Sequence, residues 1–432
     1  MCLTQWRLAP AILGCAGAIA LTSCGDGSSP GPTVALQSDA ATVSLGQRAT
    51  LRWSTQHATA CTAAGAWSGN KAASGIESVQ VPLTQTRNAF GLICSGGGRT
   101  ARAEVVVTVP PPRFSLQVLP LDEAVDLNDA GDVLGYENFY RLDPALWTDA
   151  GVLHIDTCGS SCPPGYAVTV FAVNNHRTVL ARLHFGPGVN RVALVPLGGQ
   201  SVPAGGAPID QPTALNDSLQ FVGRGYSGLL LGLPPPFNKA VLVSAGQVTV
   251  VQPSDGVDGA AMAINAAGVV AGNYTTATGG PVHAFRYENG VAADLGTLLD
   301  GLPVPHGINA AGTIVGEITV PSGDTRAFRA GGGQAALQAL DGLGGGQSMA
   351  SGVNDLEQIV GSSTVAGAPE TWHATLVSAG TLYDLNDLLV APAGITLEWG
   401  IDINGAGHVL ATGCDTARGD CHPYLLTPIT VR

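Results

Sequence analysis

Paired carboxylates are the first residues of this sequence that could do chemistry. Asp126 in DLN and Asp402 in DIN each stand two residues before an asparagine, and Glu123 and Glu398 lie close by in the chain. If the fold brings the two segments together, the carboxyl groups could share acid–base work or bind Ca²⁺. The stretch DLNDAGDVLGYE over 126–137 also has part of a calcium-loop spacing, although an alanine occupies one ligand position. Solvated turn carboxylates are the simpler interpretation.

Basic side chains form a second candidate set. They stand at the start of short apolar runs such as HAF and HATLV, at Arg191, Lys239, His283, Arg326, His373 and His422, with Pro144 in the same place once more. In a ring of repeats these positions would lie at equal radius and could bind an anion or an acidic glycan. Alternatively, each side chain donates to a turn carbonyl of its own repeat. His306, in PHGIN, is a further candidate for ligand binding.

The cysteines indicate an oxidising compartment. Two of the nine lie in the first 23 residues, and Cys24 follows them. The remaining six form three plausible pairs, Cys61 with Cys94, Cys158 with Cys162 and Cys414 with Cys421. Because His422 is next to Cys421, a zinc site is an alternative to the last disulfide.

Other signals of chemistry are missing from the sequence. It contains no HExxH or P-loop motif. We therefore predict no catalytic residue, no cofactor and no metal. The net charge of −13 also argues against nucleic acid as a partner, because such binding requires a basic surface.

The start of the chain has the features of a targeting segment. One arginine at position 7 precedes an apolar run over 8–20, and Leu21-Thr22-Ser23-Cys24 resembles the bacterial lipobox. The resemblance implies that residues 1–24 are a signal peptide and that Cys24 carries lipid. Gly25 follows where retained inner-membrane lipoproteins have aspartate, so we expect export and an outer-membrane anchor facing the periplasm or the cell surface. Residues 25–32 are a flexible tether.

Residues 33–110 have the alternating pattern of a β-sandwich. Segments such as TVALQS, ATLRWST and AEVVVTV are separated by Gly, Ser and Asn. The segment resembles the Ig-like modules of bacterial surface lipoproteins, with Trp53, Cys61 and Cys94 in that order. The order departs from that of antibody domains, so their disulfide is not implied. VPPP over 109–112 predicts a stiff linker.

One repeat fills the remainder of the chain. Its marker is an asparagine that opens a turn, at Asn128, Asn174, Asn216, Asn265, Asn309, Asn354 and Asn404. The six intervals cover 276 residues, or 46 each, and residues 113–432 have room for about seven such units. A strand-rich period of this size predicts a seven-bladed β-propeller with four strands in each blade. The fold class is therefore all-β, with the Ig-like β-sandwich first.

Each repeat predicts an inner strand of small residues, the asparagine turn and three further strands. A glycine three residues after the asparagine accepts a positive φ in four repeats. Arg177, Leu219 and Glu357 replace it in the other three, so we expect those turns to differ. The last repeat lacks a fourth strand, and residues 113–121 should supply it and close the ring.

The repeat resembles the bacterial extracellular HAF repeat. HAFRYENGVAADLGTLLDGLPVPHGIN over 283–309 is the clearest copy, and the likeness extends over 113–432. The family implies an exported, propeller-like domain and brings no catalytic residues with it.

A binding or scaffold role is the function that these features favour, with a glycan or a protein as partner and the membrane contacted through the lipid only. A propeller hydrolase or lyase acting on extracellular polysaccharide is the alternative. The apolar loop GLLLGLPPPF over 228–237 either packs on its own blade or presents a contact for a partner.

Overall fold

The structure is a computed structural model that describes residues 30–138, 143–155, 166–185, 190–197, 202–203, 209–226, 238–332, 336–391 and 394–429. Several sequence features lie outside these ranges: the signal segment with Cys24, the tether over 25–29, the pair Cys158 and Cys162, and the loop 228–237. Within the described ranges, no helix is long and apolar enough to cross a membrane.

The chain is all-β and divides into two compact units, the first of Met1–Pro111 with Ala379–Thr381 and the second of Pro112–Ser378 with Leu382–Arg432. The first unit has seven strands, β1 Thr33–Ser38, β2 Arg48–Gln56, β3 Ala60–Gly65, β4 Asn70–Lys71, β5 Ser74–Gln80, β6 Arg87–Gly96 and β7 Arg99–Thr108. They form two sheets, in the orders β1-β2-β5 and β4-β3-β6-β7. Alternate residues of the strands are buried, as in β1, so Leu36, Leu51, Phe90 and Leu92 meet in one core. A disulfide joins Cys61 to Cys94, which are opposite each other on β3 and β6.

The second unit contains seven four-stranded antiparallel sheets, sheet 1 to sheet 7, numbered along the chain. Their first strands are β9 Glu123–Leu127, β13 Ala167–Val173, β17 Ile209–Leu215, β21 Asp258–Ile264, β25 Leu302–Ile308, β29 Gly344–Val353 and β33 Ile395–Ile403. The second strands are β10 Val133–Asn138, β14 Thr178–His184, β18 Phe221–Tyr226, β22 Val270–Thr275, β26 Ile314–Thr319, β30 Ile359–Val365 and β34 Val409–Asp415. The third strands are β11 Asp143–Thr148, β15 Asn190–Pro196, β19 Asn238–Ser244, β23 Val282–Glu288, β27 Thr325–Ala330, β31 Ala368–Ser378 and β35 Cys421–Pro428. The fourth strands are β12 Gly151–His154, β16 Val202–Pro203, β20 Gln247–Val250, β24 Val291–Gly296, β28 Gln338–Ala339, β32 Thr381–Asp384 and, for sheet 7, β8 Phe114–Val118.

The seven sheets follow one another around a central channel, as the blades of a β-propeller do. Each first strand contacts the first strand of the next sheet, and β33 of sheet 7 contacts β9 of sheet 1. The cores lie between neighbouring sheets: Phe285 of sheet 4 packs with Val222 of sheet 3, and Phe328 of sheet 5 packs with Ala284 of sheet 4. Each sheet therefore depends on its neighbours for burial of its apolar side chains.

Sheet 7 combines strands from both ends of the unit. β8 pairs antiparallel with β35, and Leu116 lies opposite Leu426. The side chain of Arg113 adds hydrogen bonds of 3.0 Å to the carbonyl oxygens of Asp387 and Leu389. This pairing, over Phe114–Val118, covers an edge of β35 that would otherwise be unpaired.

All seven asparagine turns have one conformation. In sheet 4, the Asn265 Oδ1 accepts from the N–H groups of Ala267 and Val269, and the Gly268 N–H donates to the Asn265 carbonyl. Arg177, Leu219 and Glu357 take the glycine place with φ of 56°, 58° and 56°. The expectation that these turns differ is wrong. The asparagine side chain and the turn hydrogen bond hold a left-handed residue that costs about 1–2 kcal/mol without glycine.

The two ends of the channel differ in their connections. Because the strands are antiparallel, the asparagine turns and the links from third to fourth strands lie at the same end, which we call the turn face. In four sheets the link from the third to the fourth strand has only two residues. Links from second to third strands, and from each sheet to the next, lie at the opposite end, the long-loop face. They reach 12 residues between β12 and β13. Variable connections on a rigid scaffold are the usual place for binding residues.

Candidate functional site

Each first strand of the second unit contains a β-bulge at the same place. The register against the second strand skips one residue, the third before the asparagine, in all seven sheets. We call these residues the bulge ring: Val125, Phe171, Thr213, Met262, His306, Ser351 and Ile401. A bulge leaves one residue without a ladder partner and re-aims its side chain.

The bulge ring lines the channel. All seven residues border one cavity of about 350 Å³. Its chemistry is mixed, because four of the side chains are apolar and three are polar, namely those of Thr213, His306 and Ser351. Thr213 Oγ1 donates to the Ala261 carbonyl at 2.8 Å, and His306 Nε2 lies 3.7 Å from Glu317 Oε1. His306 is the only residue of this ring that the sequence singled out.

Towards the long-loop face the channel opens into a second cavity of about 450 Å³. Phe171, Thr213, Met262 and His306 border it together with Arg182 and Gln211. The Arg182 guanidinium lies over the Phe171 ring, 5.6 Å from its centroid. Aromatic, cationic and amide groups therefore converge on one opening of the size typical of ligand pockets.

The next layer of the channel consists of small residues with two exceptions. The position two before the asparagine holds alanine or glycine in five sheets and aspartate in two, at Asp126 and Asp402. Small residues suit this layer because adjacent first strands crowd together: a Cβ on Gly352 would lie 2.5 Å from Asp402 Oδ1. The two aspartates lie where sheet 7 meets sheet 1, as predicted from the repeat.

The two carboxyl groups are half-buried in the channel wall and interact with each other. Asp126 Oδ2 accepts from the Val173 N–H at 2.7 Å, and Asp402 Oδ1 accepts from its neighbouring Ile403 N–H at 2.8 Å. Burial raises the pKa of Asp126 to about 6, although N–H groups of Val173 and Leu127 and the hydrogen bond to Asp402 act in the opposite direction. Burial, followed by the charge of Asp126, raises the pKa of Asp402 well above its usual value. The pair is suited to sharing a proton.

The marker asparagines close a hydrogen-bonded ring. In every sheet the asparagine Nδ2 donates to the backbone carbonyl of the next sheet's asparagine, at distances from 2.9 to 3.3 Å. The last of these bonds runs from Asn404 back to Asn128 at 3.0 Å. The seven residues are 4–5% exposed. We call them the asparagine ring, and its role is to hold neighbouring first strands together.

Beyond the asparagine ring, the turn face carries acidic residues that are already bonded. Asn175 Nδ2 donates to both Asp129 and Asp217 at 2.9 Å, and Asp355 accepts from the Ala310 N–H. Asp132 binds the guanidinium of Arg177 through both oxygens, at 2.8 and 2.9 Å. The aspartates of the 126–137 segment therefore have separate partners. Within the described part of the chain, no group of three or more His, Cys, Asp or Glu side chains could hold a metal ion.

The six basic residues lie on the third strands, and five of them have local partners. Lys239 Nζ donates to the carbonyls of Gly256 and Val257, and His283 and His373 face Asp294 and Asp384 at 3.0 and 2.6 Å. Arg326 donates to the Thr325 carbonyl. Arg191 lies over the Phe185 ring, 5.4 Å from its centroid. His422 is exposed. This arrangement fits the local-donor interpretation better than a shared anion site.

Cys414 and Cys421 form a disulfide between paired positions of β34 and β35. Their sulfurs are bonded to each other rather than arranged with His422 as zinc ligands.

Sequence reasoning missed the bulge ring because a bulge leaves no mark in the alternation of apolar and polar residues along its strand. An alignment of the seven repeats on their asparagines would have revealed it. The third position before the asparagine has no common chemistry, whereas the neighbouring positions are similar in most repeats. The bonds of the asparagine ring were missed because they join residues of different repeats.

No family model matches the chain, and neither does any curated protein. Solved structures with some likeness include TolB from Acinetobacter baumannii, 10% identical, with 81% of this chain and 78% of that chain covered at a TM-score of 0.37. A putative TolB from Agrobacterium tumefaciens is 12% identical, with 74% and 100% covered at a TM-score of 0.36. A quinonprotein alcohol dehydrogenase-like protein from Bacteroides thetaiotaomicron is 12% identical, with 89% and 94% covered at a TM-score of 0.26. The likeness is weak, and no conclusion about this chain is drawn from it.

Proposed function

We propose that this chain is an exported bacterial lipoprotein that binds a glycan or a protein at the long-loop opening of its channel. In this proposal residues 1–24 are the signal peptide, 25–32 the tether, 33–110 an Ig-like spacer and 113–432 a seven-bladed propeller of the HAF-repeat type. The seven sheets are its blades, and residues 113–121 complete blade seven.

The observation that carries the proposal is the chemistry of the bulge ring. Neighbouring positions of the repeat are uniform because the fold needs them: small residues two before the asparagine in five sheets, aliphatic residues one before it, and the asparagine itself. The bulge position holds seven different residues, and all of them line the channel. When a repeat varies at one position only, and that position faces a cavity, the residues there are selected for something other than the fold.

A binding test follows from this geometry. The purified protein is screened on glycan and protein arrays, and the affinity for the strongest hit is measured by calorimetry. We expect Phe171→Ala and His306→Ala each to weaken binding by about tenfold or more, since they border the opening. Asp217→Asn on the turn face is the matched control and should bind normally. Normal binding by both ring variants would place the site elsewhere.

The Asp126–Asp402 pair favours a second candidate, a polysaccharide hydrolase or lyase. Glycosidase carboxyl groups stand about 5–10 Å apart to admit a sugar bond and water, whereas these two are hydrogen-bonded to each other. We therefore prefer binding. Release of reducing or unsaturated sugar ends by the wild type, lost in Asp402→Asn, would reverse this preference.

The anchor is tested separately at Cys24. We expect Cys24→Ser to move the protein from the membrane fraction to the soluble fraction, because the thiol that takes the lipid is gone. Cys2→Ser, within the signal segment, is the control and should stay with the membrane. Unchanged membrane retention of the Cys24 variant would contradict the lipid anchor.

A further inference from the structure

A pair of tryptophans lies outside the channel on the long-loop face. Trp372, on β31 of sheet 6, and Trp399, on β33 of sheet 7, stack with ring centroids 4.8 Å apart and planes 25° apart. Trp399 is 37% exposed, whereas tryptophan is highly buried on average. The rings come from two different sheets, so they bridge the groove between them.

The chain beside Trp399 departs from the repeat. The first strand of sheet 7 has a second register shift, between Leu397 and Trp399, which leaves Glu398 without a ladder partner. Glu398 is half-buried, and within the described residues none of the hydrogen bonds or ion pairs involves its carboxylate. The residue that precedes the exposed indole in the chain thus carries an unpaired carboxylate.

We propose that Trp372, Trp399 and Glu398 form a subsite for one pyranose ring of a glycan. Near-parallel stacking of the indoles leaves a flat outer face, which suits the apolar C–H face of a sugar ring. A carboxylate next to that face can accept hydrogen bonds from the sugar hydroxyls. The stacked geometry is unlike a cage around a cation, which needs ring faces on several sides.

The size of the patch favours a sugar over a protein. A stable protein interface buries about 800 Å² on each partner, with a cluster of anchoring side chains. Among the exposed large apolar residues that the structure describes, Trp399 is the only aromatic one, and Val291 and Leu153 lie on the fourth strands of other sheets. A platform of one ring matches a ligand built from single rings.

The subsite is separate from the channel. Trp399 precedes Asp402 by three residues, or about 10 Å along a strand, so an oligosaccharide could reach from one to the other. Variants at Phe171 and His306 test the proposed function, and variants at the tryptophans test this inference, so either can fail alone.

The test uses the purified full chain with cellohexaose, xylohexaose, laminarihexaose and chitohexaose as probes. Binding is followed by indole fluorescence and by saturation-transfer NMR on the sugar protons, which requires no variant. We expect one or more probes to bind through their ring C–H protons. Trp399→Ala should then weaken binding by about tenfold or more, Trp399→Phe by less, and Glu398→Gln by about threefold or more.

Trp147→Phe is the matched control, because Trp147 is a buried indole in sheet 1, and it should bind like the wild type. Unchanged thermal unfolding of the Trp399 variants shows that the loss is local. Absence of binding by all four probes, full binding by Trp399→Ala, or binding of tetramethylammonium in place of the sugars would overturn the proposal.

Discussion

At the scale of single residues, Asp126 and Asp402 are the departure from the repeat with the largest physical consequence. They replace alanine or glycine in a layer where first strands crowd together, and they meet where the two ends of the unit join. Burial raises both pKa values. Folding therefore favours protonation of these groups, and ionisation of both should weaken this junction.

The pair predicts a pH dependence of stability. Because the pKa of Asp126 rises from 3.8 to about 6 on folding, its favourable contribution is complete below the unfolded pKa. It is lost as pH rises through about 6, an effect of about 2–3 kcal/mol. We expect Asp126→Asn to be more stable than the wild type at pH 8 and similar to it at pH 4.5, as measured by urea unfolding. Asp143→Asn, an exposed change, is the control. Equal stability of Asp126→Asn and the wild type at pH 8 would contradict the account.

At the scale of elements, a bulge in one strand constrains its neighbour. The bulged first strand brings its backbone towards the second strand, and a glycine lies there in most sheets. A Cβ on Gly316 would overlap the carbonyl oxygen of Val304, and one on Gly361 would overlap that of Met349. The glycine that follows the apolar residues of each such second strand, as in IVG, therefore accompanies the bulge in the neighbouring first strand, which lines the channel.

We therefore predict that Gly316→Ala lowers the free energy of unfolding by about 2–3 kcal/mol, because the backbone must shift to admit the methyl group. Gly290→Ala is the comparison. Its φ is 84° and a Cβ there meets nothing within 4 Å, so only the conformational cost of about 1 kcal/mol remains. Chemical unfolding measures both. An equal effect of the two changes would show that the close approach does not matter.

At the scale of the whole molecule, two separate sets of hydrogen bonds close the ring of seven sheets. The pairing of β8 with β35 joins the ends through the sheet edge, and the bond from Asn404 to Asn128 joins them at the channel. A closed ring has no terminal sheet that can unfold without exposing its neighbours, so the loss of one strand should be felt by all seven sheets.

Deletion of residues 113–121 should therefore lower the melting temperature of the whole second unit, because sheet 7 loses its fourth strand and β35 gains an open edge. Deletion of residues 33–108 is the control, and we expect it to leave that transition nearly unchanged. Calorimetry of both truncations beside the intact chain makes the measurement. Equal melting of the 113–121 deletion and the parent would exclude a stabilising role for β8.

The sequence alone determined the strand-rich class and the repeat of about 46 residues, and it predicted that residues 113–121 pair with the final strand. Both conclusions follow from the periodicity of the sequence, because each repeat of about 46 residues corresponds to one structural unit. It also placed Asp126 and Asp402 together, since equivalent positions in the first and last repeats become neighbours on closure. It failed at Arg177, Leu219 and Glu357, where a side-chain and backbone network imposes a turn that local preference does not favour.

Only the tertiary structure decided which residues face the channel. A bulge changes the direction of one side chain without any mark in the alternation of apolar and polar residues, so Phe171 and Met262 read as ordinary strand residues. The stacking of Trp372 on Trp399 joins two repeats, and so does every bond of the asparagine ring. Contacts between repeats depend on how sheets are placed around the axis, and a pattern within one repeat carries no information about that placement.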